Sequence, residues 1–350
     1  MKVGIIAASN IRYSPYIFFY TEILKRQGIA YELIYPDRCG LEERFEGTAH
    51  VLKWDRNQKT LINYALYARQ VIRVVKREKY DALIVLTTVN AAYLSLWLRT
   101  HYRGRYIVDI RDYTHENILP YYLMEGIAVR NSLMNVISSR EFKTFLPEAE
   151  YHACHNYGSI RPDCSARFQK KDGKLLIGYV GLLSYAPQCK AMMDLVAGDD
   201  RFRLEFFGTS EIEAELRDYW KTLQAENICF HGAYGSGEKE QIIRKVDILF
   251  NAYGNERPLV KCLLSNKLYD SLIWKKPILT SPDTFMTEMG GDMAYAIDLD
   301  TASDLDELYR WYQALDGAVL DAYADRTMES IIEENETTIR CVLDRLNGLC

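Results

Sequence analysis

The sequence predicts an α/β protein built from two doubly wound halves. Three observations predict it. Short aliphatic runs alternate with longer amphipathic stretches, the pattern of a parallel sheet covered on both faces. The chain has 350 residues, too many for one ordinary core, since domains run to ~100–200 residues. A polar stretch without periodicity, residues 162–174 (PDCSARFQKKDGK), falls near the middle, and the strand–helix rhythm restarts after it. The expected division is therefore 1–165, 174–325 and a charged closing helix over 326–347 in a last segment 326–350.

In the first half, residues 2–7 form the first strand and 16–27 a helix ended by Gly28, a residue suited to a helix C-terminus. Residues 30–35 form the second strand, which Pro36 is expected to stop. A long amphipathic helix follows over 61–79, then a buried strand over 81–86 (DALIVL) and a helix over 91–100. Residues 105–110 (RYIVDI) make a strand, 119–133 a helix, 135–138 a short strand and 141–146 a short helix stopped by Pro147. In the second half, strands are expected over 175–180, 203–207, 228–231, 247–251, 278–280 and 294–297. Helices are expected over 189–196, 211–225, 237–245, the segment after Ser265, and 302–315.

Composition narrows the function. Apolar residues make up 48% and charged residues 26%, the range of an ordinary soluble protein, and the net charge of -5 argues against a nucleic-acid partner. No run reaches the ~18–20 apolar residues of a membrane span, and the apolar run at 3–8 is short for a signal peptide. The eight cysteines (Cys39, Cys154, Cys164, Cys189, Cys229, Cys262, Cys341, Cys350) form no C-x-x-C pair and have no histidine cluster beside them. They predict neither a disulfide framework nor a zinc site, and a cytoplasmic location. The 26 tyrosines suit sugar, base or interface contacts, and equally a core.

Four groupings carry candidate chemistry. The turn from Gly178 to Ser184 ends a strand and opens a helix, so that backbone amides at Gly181 can approach an anion, with Lys190 available to a phosphate. The alternative is a tight turn with a solvated lysine. The spacing is not G-x-G-x-x-G, which disfavours an NAD-linked oxidoreductase. In "SNKLYDSLIWKKPILTS", Asn266, Lys267 and Asp270 share one helix face. A carboxylate there can accept bonds from vicinal hydroxyls, and the lysine can neutralise a diphosphate. The alternative is an exposed Lys267–Asp270 pair. Asp112, His115 and Glu116 follow a strand, where a base or an orienting carboxylate would stand; an Arg111–Asp112 pair fixing the loop is the other reading. Finally, Arg69, Arg73, Lys76, Arg77 and Lys79, with the aromatic stretch 12–20, suit an anionic membrane surface, or simply a solvated helix end.

These residues resemble a GT-B glycosyltransferase, close to the large retaining family four group. The resemblance runs in order through "IGYVGLLS", "LEFFGTSEIEAELR", "ICFHGAYGSGEKEQIIRKVDILFNAY" and "SNKLYDSLIWKKPILTS". The last matches the family's NKL-aromatic-Glu helix and Gly-Lys-Pro strand entry. "YIVDIRDY" and "NVISSREFKTFLP" are similar to the acceptor domain of transferases in bacterial surface-polysaccharide pathways. The resemblance implies two Rossmann-like domains facing across a cleft, the first binding acceptor and the second nucleotide sugar. The closing helix would pack back on the first domain. It places Asp270 where the family's ribose-binding Glu stands, one methylene shorter. Asn266 and Lys267 fall near base and diphosphate, and Gly181, Ser184, Lys190 and Gly208 on the donor side. Leu182 stands where an Arg often contacts the diphosphate, and Cys262 replaces the earlier Glu of a paired-Glu motif. The implied reaction moves a sugar from a nucleotide sugar to a glycan or lipid-linked acceptor. It needs no cofactor and no metal, and the enzyme would touch the cytoplasmic membrane face peripherally. A nucleotide-sugar epimerase, or a non-catalytic two-domain small-molecule binding protein, remains the alternative.

Overall fold

Continuous aliphatic runs become strands here because both faces of each sheet are covered, leaving no polar face to alternate with. The structure, a computed structural model, describes residues 1–41, 43–157, 166–235 and 237–349. It divides into two compact units, Met1–Gly158 with Glu333–Cys350, and Ser159–Ile332.

The first unit contains β1 (Lys2–Ile6), α1 (Tyr16–Arg26), β2 (Ala30–Asp37), β3 (Thr48–Lys53), α2 (Thr60–Glu78), β4 (Ala82–Leu86), α3 (Thr88–His101), β5 (Tyr106–Ile110), α4 (Leu119–Arg130), β6 (Met134–Ile137) and β7 (His152–Ala153). Its strands pair in the order β3-β2-β1-β4-β5-β6-β7, each pairing parallel. The order reverses between β1 and β4, which opens a crevice at their carboxyl ends. One core layer joins Val3, Ile5, Ile84 and Ile107 of the sheet to Ile17, Tyr20 and Leu24 of α1. Each such aliphatic side chain contributes about 1.5–3 kcal/mol when fully buried.

The second unit contains β8 (Leu175–Val180), α5 (Ala186–Ala197), β9 (Phe202–Phe207), α6 (Glu213–Leu223), β10 (Ile228–Gly232), α7 (Lys239–Lys245), β11 (Ile248–Phe250), α8 (Pro258–Cys262), α9 (Asn266–Trp274), β12 (Ile278–Thr280), α10 (Phe285–Gly290), β13 (Ala294–Ala296) and α11 (Asp306–Ala314). Its sheet is parallel in the order β10-β9-β8-β11-β12-β13, the arrangement of a doubly wound nucleotide-binding domain. Gly178 lies mid-strand in β8 because a Cβ there would sit 2.4 Å from Val246 Cγ2. α9 starts at Ser265, whose hydroxyl accepts the Lys267 N–H at 3.2 Å. It stops at Lys275, in the left-handed region.

Several elements differ from the sequence reading. Pro36 lies inside β2, not after it. β2 pairs with β1 only as far as Ile34, so Pro36 sits where the strand is paired on one side and a missing N–H is tolerated. The edge strands β3 and β7 and the short helices α8 and α10 had no aliphatic run or long period to announce them. The last helix, α12, is Gly317–Asn347, beginning more than two turns before the expected 326. Residues 162–165 of the expected linker, with Cys164, lie outside the described residues, as does Cys350. Residues 166–174 are tied to the second unit: the Phe168 N–H donates to Asp321 at 2.8 Å, and Lys171 pairs with Asp247 at 3.0 Å.

The final turns of α12 belong to the first unit. Asn335 Oδ1 accepts the His155 N–H at 2.6 Å and its Nδ2 donates to the His155 carbonyl at 2.9 Å. The Thr338 hydroxyl donates to Ala153 O at 2.6 Å and Val342 and Leu346 complete the core. Replacing Asn335 by Leu strands two buried backbone groups. Unfolding free energy in urea should drop by about 2–4 kcal/mol, and an unchanged value would remove this clamp from the account.

Candidate functional site

At the carboxyl rim of the second sheet, two glycines follow adjacent strands. Gly181 follows β8 at φ +124° and Gly208 follows β9 at φ +135°, backbone that other residues enter only with strain. They are packed against each other: a Cβ on Gly208 would lie 1.8 Å from Gly181 O. The Gly181 N–H donates to Phe207 O and the Gly208 N–H to Gly232 O, both at 2.8 Å. The turn beyond Gly181 is held by Tyr179. Its hydroxyl donates to Leu182 O at 3.1 Å and accepts the Ser184 N–H at 3.0 Å.

The mouth of α9 closes on this turn. Lys267 is buried, and its Nζ donates to the Tyr253 hydroxyl at 2.5 Å and lies 3.9 Å from the centre of the Tyr179 ring. A Cβ placed on Gly181 would be 4.0 Å from the same nitrogen. Tyr185 stacks on Tyr253 with ring centres 4.3 Å apart. Burial pulls the Lys267 ammonium down to about 7, with the neighbouring Cys189 and Asp270 resisting. Ring faces attract the cation, which compensates part of the lost hydration.

Asp270, one turn on, is also buried, and Lys239 of α7 bonds it at 2.8 Å. Burial raises the carboxyl, and Lys239 and then Lys267 hold it down. The expected alternative, an exposed Lys267–Asp270 pair, does not form; both groups are buried, and each has its own direct partner. Beside them Asn251, just after β11, accepts from the Ser265 hydroxyl at 2.8 Å, and its buried Nδ2 has no hydrogen-bond partner among the described residues. Asn266 is exposed on the first turn of α9. Lys190 lies one turn into α5 and pairs with Glu215 at 2.6 Å over the Tyr219 ring. The structure therefore gathers Gly181, Gly208, Lys267 and Asp270, with Ser184 in the same turn, and commits Lys190 to α6.

In the first unit, Arg111 clamps Asp109 in a bidentate bond at 2.5 and 2.7 Å and donates to Cys154 O at 2.7 Å. The Tyr20 hydroxyl donates to Asp109 at 2.6 Å. Arg111 is thus held by Asp109, and the alternative reading, an Arg111–Asp112 pair, does not form; Asp112 is exposed. Glu116 is buried; one oxygen accepts the Thr114 N–H at 2.5 Å and the other has no partner among the described residues. The Tyr121 hydroxyl donates to Thr88 at 2.7 Å, Thr88 lies 3.0 Å from the Thr114 hydroxyl, and the His115 ring meets Tyr121 edge-on at 5.5 Å. Thr87, between β4 and α3, sits at φ +76° with its hydroxyl buried and unpartnered among the described residues. Strain of this kind costs about 1–3 kcal/mol and concentrates at functional sites. Glu125 of α4 is fully buried with neither oxygen partnered among the described residues. Burial, then the nearby Glu116, pushes it up to about 8.

Sequence reasoning missed Tyr179, Tyr253, Lys239, Asn251, Thr87 and Glu125. Tyr179 stood within the glycine turn and Asn251 and Tyr253 directly after a strand, so position was a usable signal for those three. Lys239 and Glu125 carried none.

One described set of side chains could hold a metal ion, Glu32, His50 and Glu78. The Lys2 ammonium already bridges both glutamates, at 2.9 and 3.1 Å.

No protein-family profile matches the chain, and no curated protein matches its sequence. Solved structures do match. A lipopolysaccharide outer core galactosyltransferase, WaaB in its apo form, superposes with a TM-score of 0.69 at 13% identity, covering 99% of this chain and all of that one, 100%. The sucrose-phosphate synthase of Thermosynechococcus elongatus gives 0.71 at 10% identity, over 99% and 98% of the two chains. Anabaena Alr3699/HepE in complex with UDP gives 0.67 at 13%, over 98% and 100%. The chain has the GT-B fold. In this GT-B chain the glycine turns and the mouth of α9 stand at the carboxyl ends of the second sheet, where open α/β folds bind ligands.

The Glu125 carboxyl generates a pH signature. Its pKa is about 8 in the fold against an ordinary 4.5, so its protonated form is the native one. Its contribution is complete below the ordinary value and is lost between there and about pH 8, at about 1.4 kcal/mol per pH unit. Glu125→Gln should remove that slope from urea unfolding measured across this range. Parallel curves for the two proteins would show that Glu125 ionises normally.

Proposed function

We propose that this protein is a glycosyltransferase. It takes a nucleotide sugar as donor and transfers the sugar, with retention, to a glycan or lipid-linked acceptor. The setting is the synthesis of a surface polysaccharide (capsule, exopolysaccharide or lipopolysaccharide) on the cytoplasmic face of the membrane. The observation that carries this reading is the buried Lys267 ammonium facing Gly181, with the Asp270 carboxylate one turn along the same helix. A diphosphate and a ribose present the complementary groups. Matching structures include complexes of Alr3699/HepE with UDP and with UDP-glucose.

The roles follow from chemistry. Asp270 accepts hydrogen bonds from the two ribose hydroxyls, held in place by Lys239. Gly181 leaves room for a phosphate oxygen between backbone and Lys267, and Gly208 packs on the Gly181 carbonyl and holds that turn in place. Lys267 supplies the positive charge that grows in value as the sugar–phosphate bond breaks and the diphosphate becomes more negative. In a retaining reaction the departing phosphate takes the acceptor proton. The first unit then orients the acceptor: Glu116 has a carboxylate oxygen with no partner among the described residues, His115 precedes it, and Asp112 is exposed in the same loop. Asn266 and Ser184 line the donor side, and no step requires a metal.

Two measurements test the donor site. Asp270→Asn keeps the shape and removes the charge that binds hydroxyls. Nucleoside diphosphate affinity by calorimetry, over UDP and GDP, should fall about ten- to hundredfold; equal affinity would place the ribose elsewhere. Lys267 carries its proton below about pH 7 and sheds it above. Affinity should therefore decline as pH rises through that value, and Lys267→Gln should flatten the decline. A variant retaining the full pH dependence would take Lys267 off the diphosphate.

A further inference from the structure

We propose that the carboxyl rim of the first unit, beside β2 and β3, binds an anionic sugar of the acceptor through Arg38 and the aromatic series Trp54, Tyr64 and Tyr93. The inference rests on the glycosyltransferase reading and narrows its acceptor to a glycan that carries a carboxylate or a phosphate. Sugar binding at this rim is measured without nucleotide, so its failure and a failure of the donor site are separate results.

Arg38 directly follows β2, and Trp54 directly follows β3. The Arg38 guanidinium lies 4.8 Å from the centre of the Trp54 ring and 5.8 Å from that of Tyr64. It donates to the Tyr64 hydroxyl at 3.3 Å. A guanidinium has about five N–H donors. The remainder have no partner among the described residues, and no carboxylate there pairs with Arg38. The backbone beneath is fixed. The Arg38 N–H donates to Asn10 Oδ1 at 2.9 Å, and Asn10 Nδ2 donates to Asp37 at 3.1 Å and Glu43 at 3.0 Å. Asp37 Oδ1 also takes the N–H groups of Cys39, Gly40 and Leu41. The cation is therefore preset against two ring faces with most of its donor fork unspent. Carboxylates and phosphates accept two parallel N–H bonds from such a fork.

The rings extend the site. Tyr64 of α2 meets Trp54 edge-on at 5.0 Å, and Tyr93 of α3 tilts against Tyr64 at 5.6 Å. All three are half-buried, so each keeps surface in solvent. A pyranose has an apolar face of C–H groups and a rim of hydroxyls, and an aromatic side chain offers flat area, with a polar tip in tyrosine. Trp54 also lines a cavity of about 540 Å³ whose walls include Asp37, Lys53, Asp55 and Arg56. That volume lies within the ~300–1,000 Å³ of small-molecule sites. Lys53 and Arg56 are exposed and form no ion pair among the described residues. Of the two acids, Asp37 is engaged by backbone and Asp55 Oδ1 takes the Asn57 N–H at 2.9 Å. A neutral sugar would use the rings and leave three cations idle. A bare inorganic anion would use the cations and leave the rings idle.

The test is a ligand-observed NMR titration of the full chain with glucuronate, glucose 6-phosphate, glucose and inorganic phosphate. The first two differ from glucose only at C6. At least one of them should bind about tenfold or more tightly than both glucose and inorganic phosphate, and which one does so identifies the anion. Arg38→Gln should bring that sugar down to the affinity of glucose, and Trp54→Ala should weaken every sugar, glucose included. A thermal melt checks that each variant folds. If Arg38→Gln does not fold, Lys53→Gln with Arg56→Gln replaces it and should reduce the same preference. The proposal would be overturned if neither anionic sugar exceeded glucose and inorganic phosphate, or if the preference survived the loss of charge.

Discussion

Parallel pairing is the constraint on which the remaining features depend. Every pairing among the described strands of both sheets is parallel. All strands of a sheet therefore end on one rim, and each must return by a crossover. The returning helices cover both faces, which is why strands such as Ala82–Leu86 are aliphatic throughout. The loops gather at the rim, which is why residues as distant in sequence as Gly181, Gly208 and Lys267 meet.

The rim of the second unit holds its charges in two different ways. Asp270 and Lys239 are an ion pair, each limiting the desolvation penalty of the other. Lys267 has no carboxylate in direct contact; it has two tyrosine rings, one hydroxyl and a nearby thiol that burial pushes up to about 12. Such a lysine is poorly compensated without an anionic ligand. In the first unit the imbalance has the opposite sign: Glu116 and Glu125 lie buried near one another with three oxygens unpartnered among the described residues.

The two-sheet architecture was legible because its central strands are unbroken aliphatic runs, and because Gly181 and Gly208 mark strand ends. The mouth of α9 was legible because Lys267 and Asp270 fall on one helical face at fixed spacing; Asn266, read as part of that face, is exposed. What local pattern could not show is which partner each side chain meets. One of the two readings of the loop after β5 paired Arg111 with the adjacent Asp112. Residues two apart share a face of an extended chain, and Arg111 bonds Asp109 instead. Lys239 opens a seven-residue helix and Glu125 sits in a mainly apolar one, and their importance comes from what other elements bring to them. The edge strand Thr48–Lys53 was hidden because it is only partly covered and so lacks an aliphatic run.

Tyr179 has three attachments at once. Its hydroxyl is tied to both sides of the 181–184 turn, and its ring face lies against the Lys267 ammonium. The turn therefore cannot swing outward without tilting the ring and withdrawing the cushion beneath that nitrogen. Loop position and the protonation of a single amine become one degree of freedom, and a molecule that stiffens either sets both.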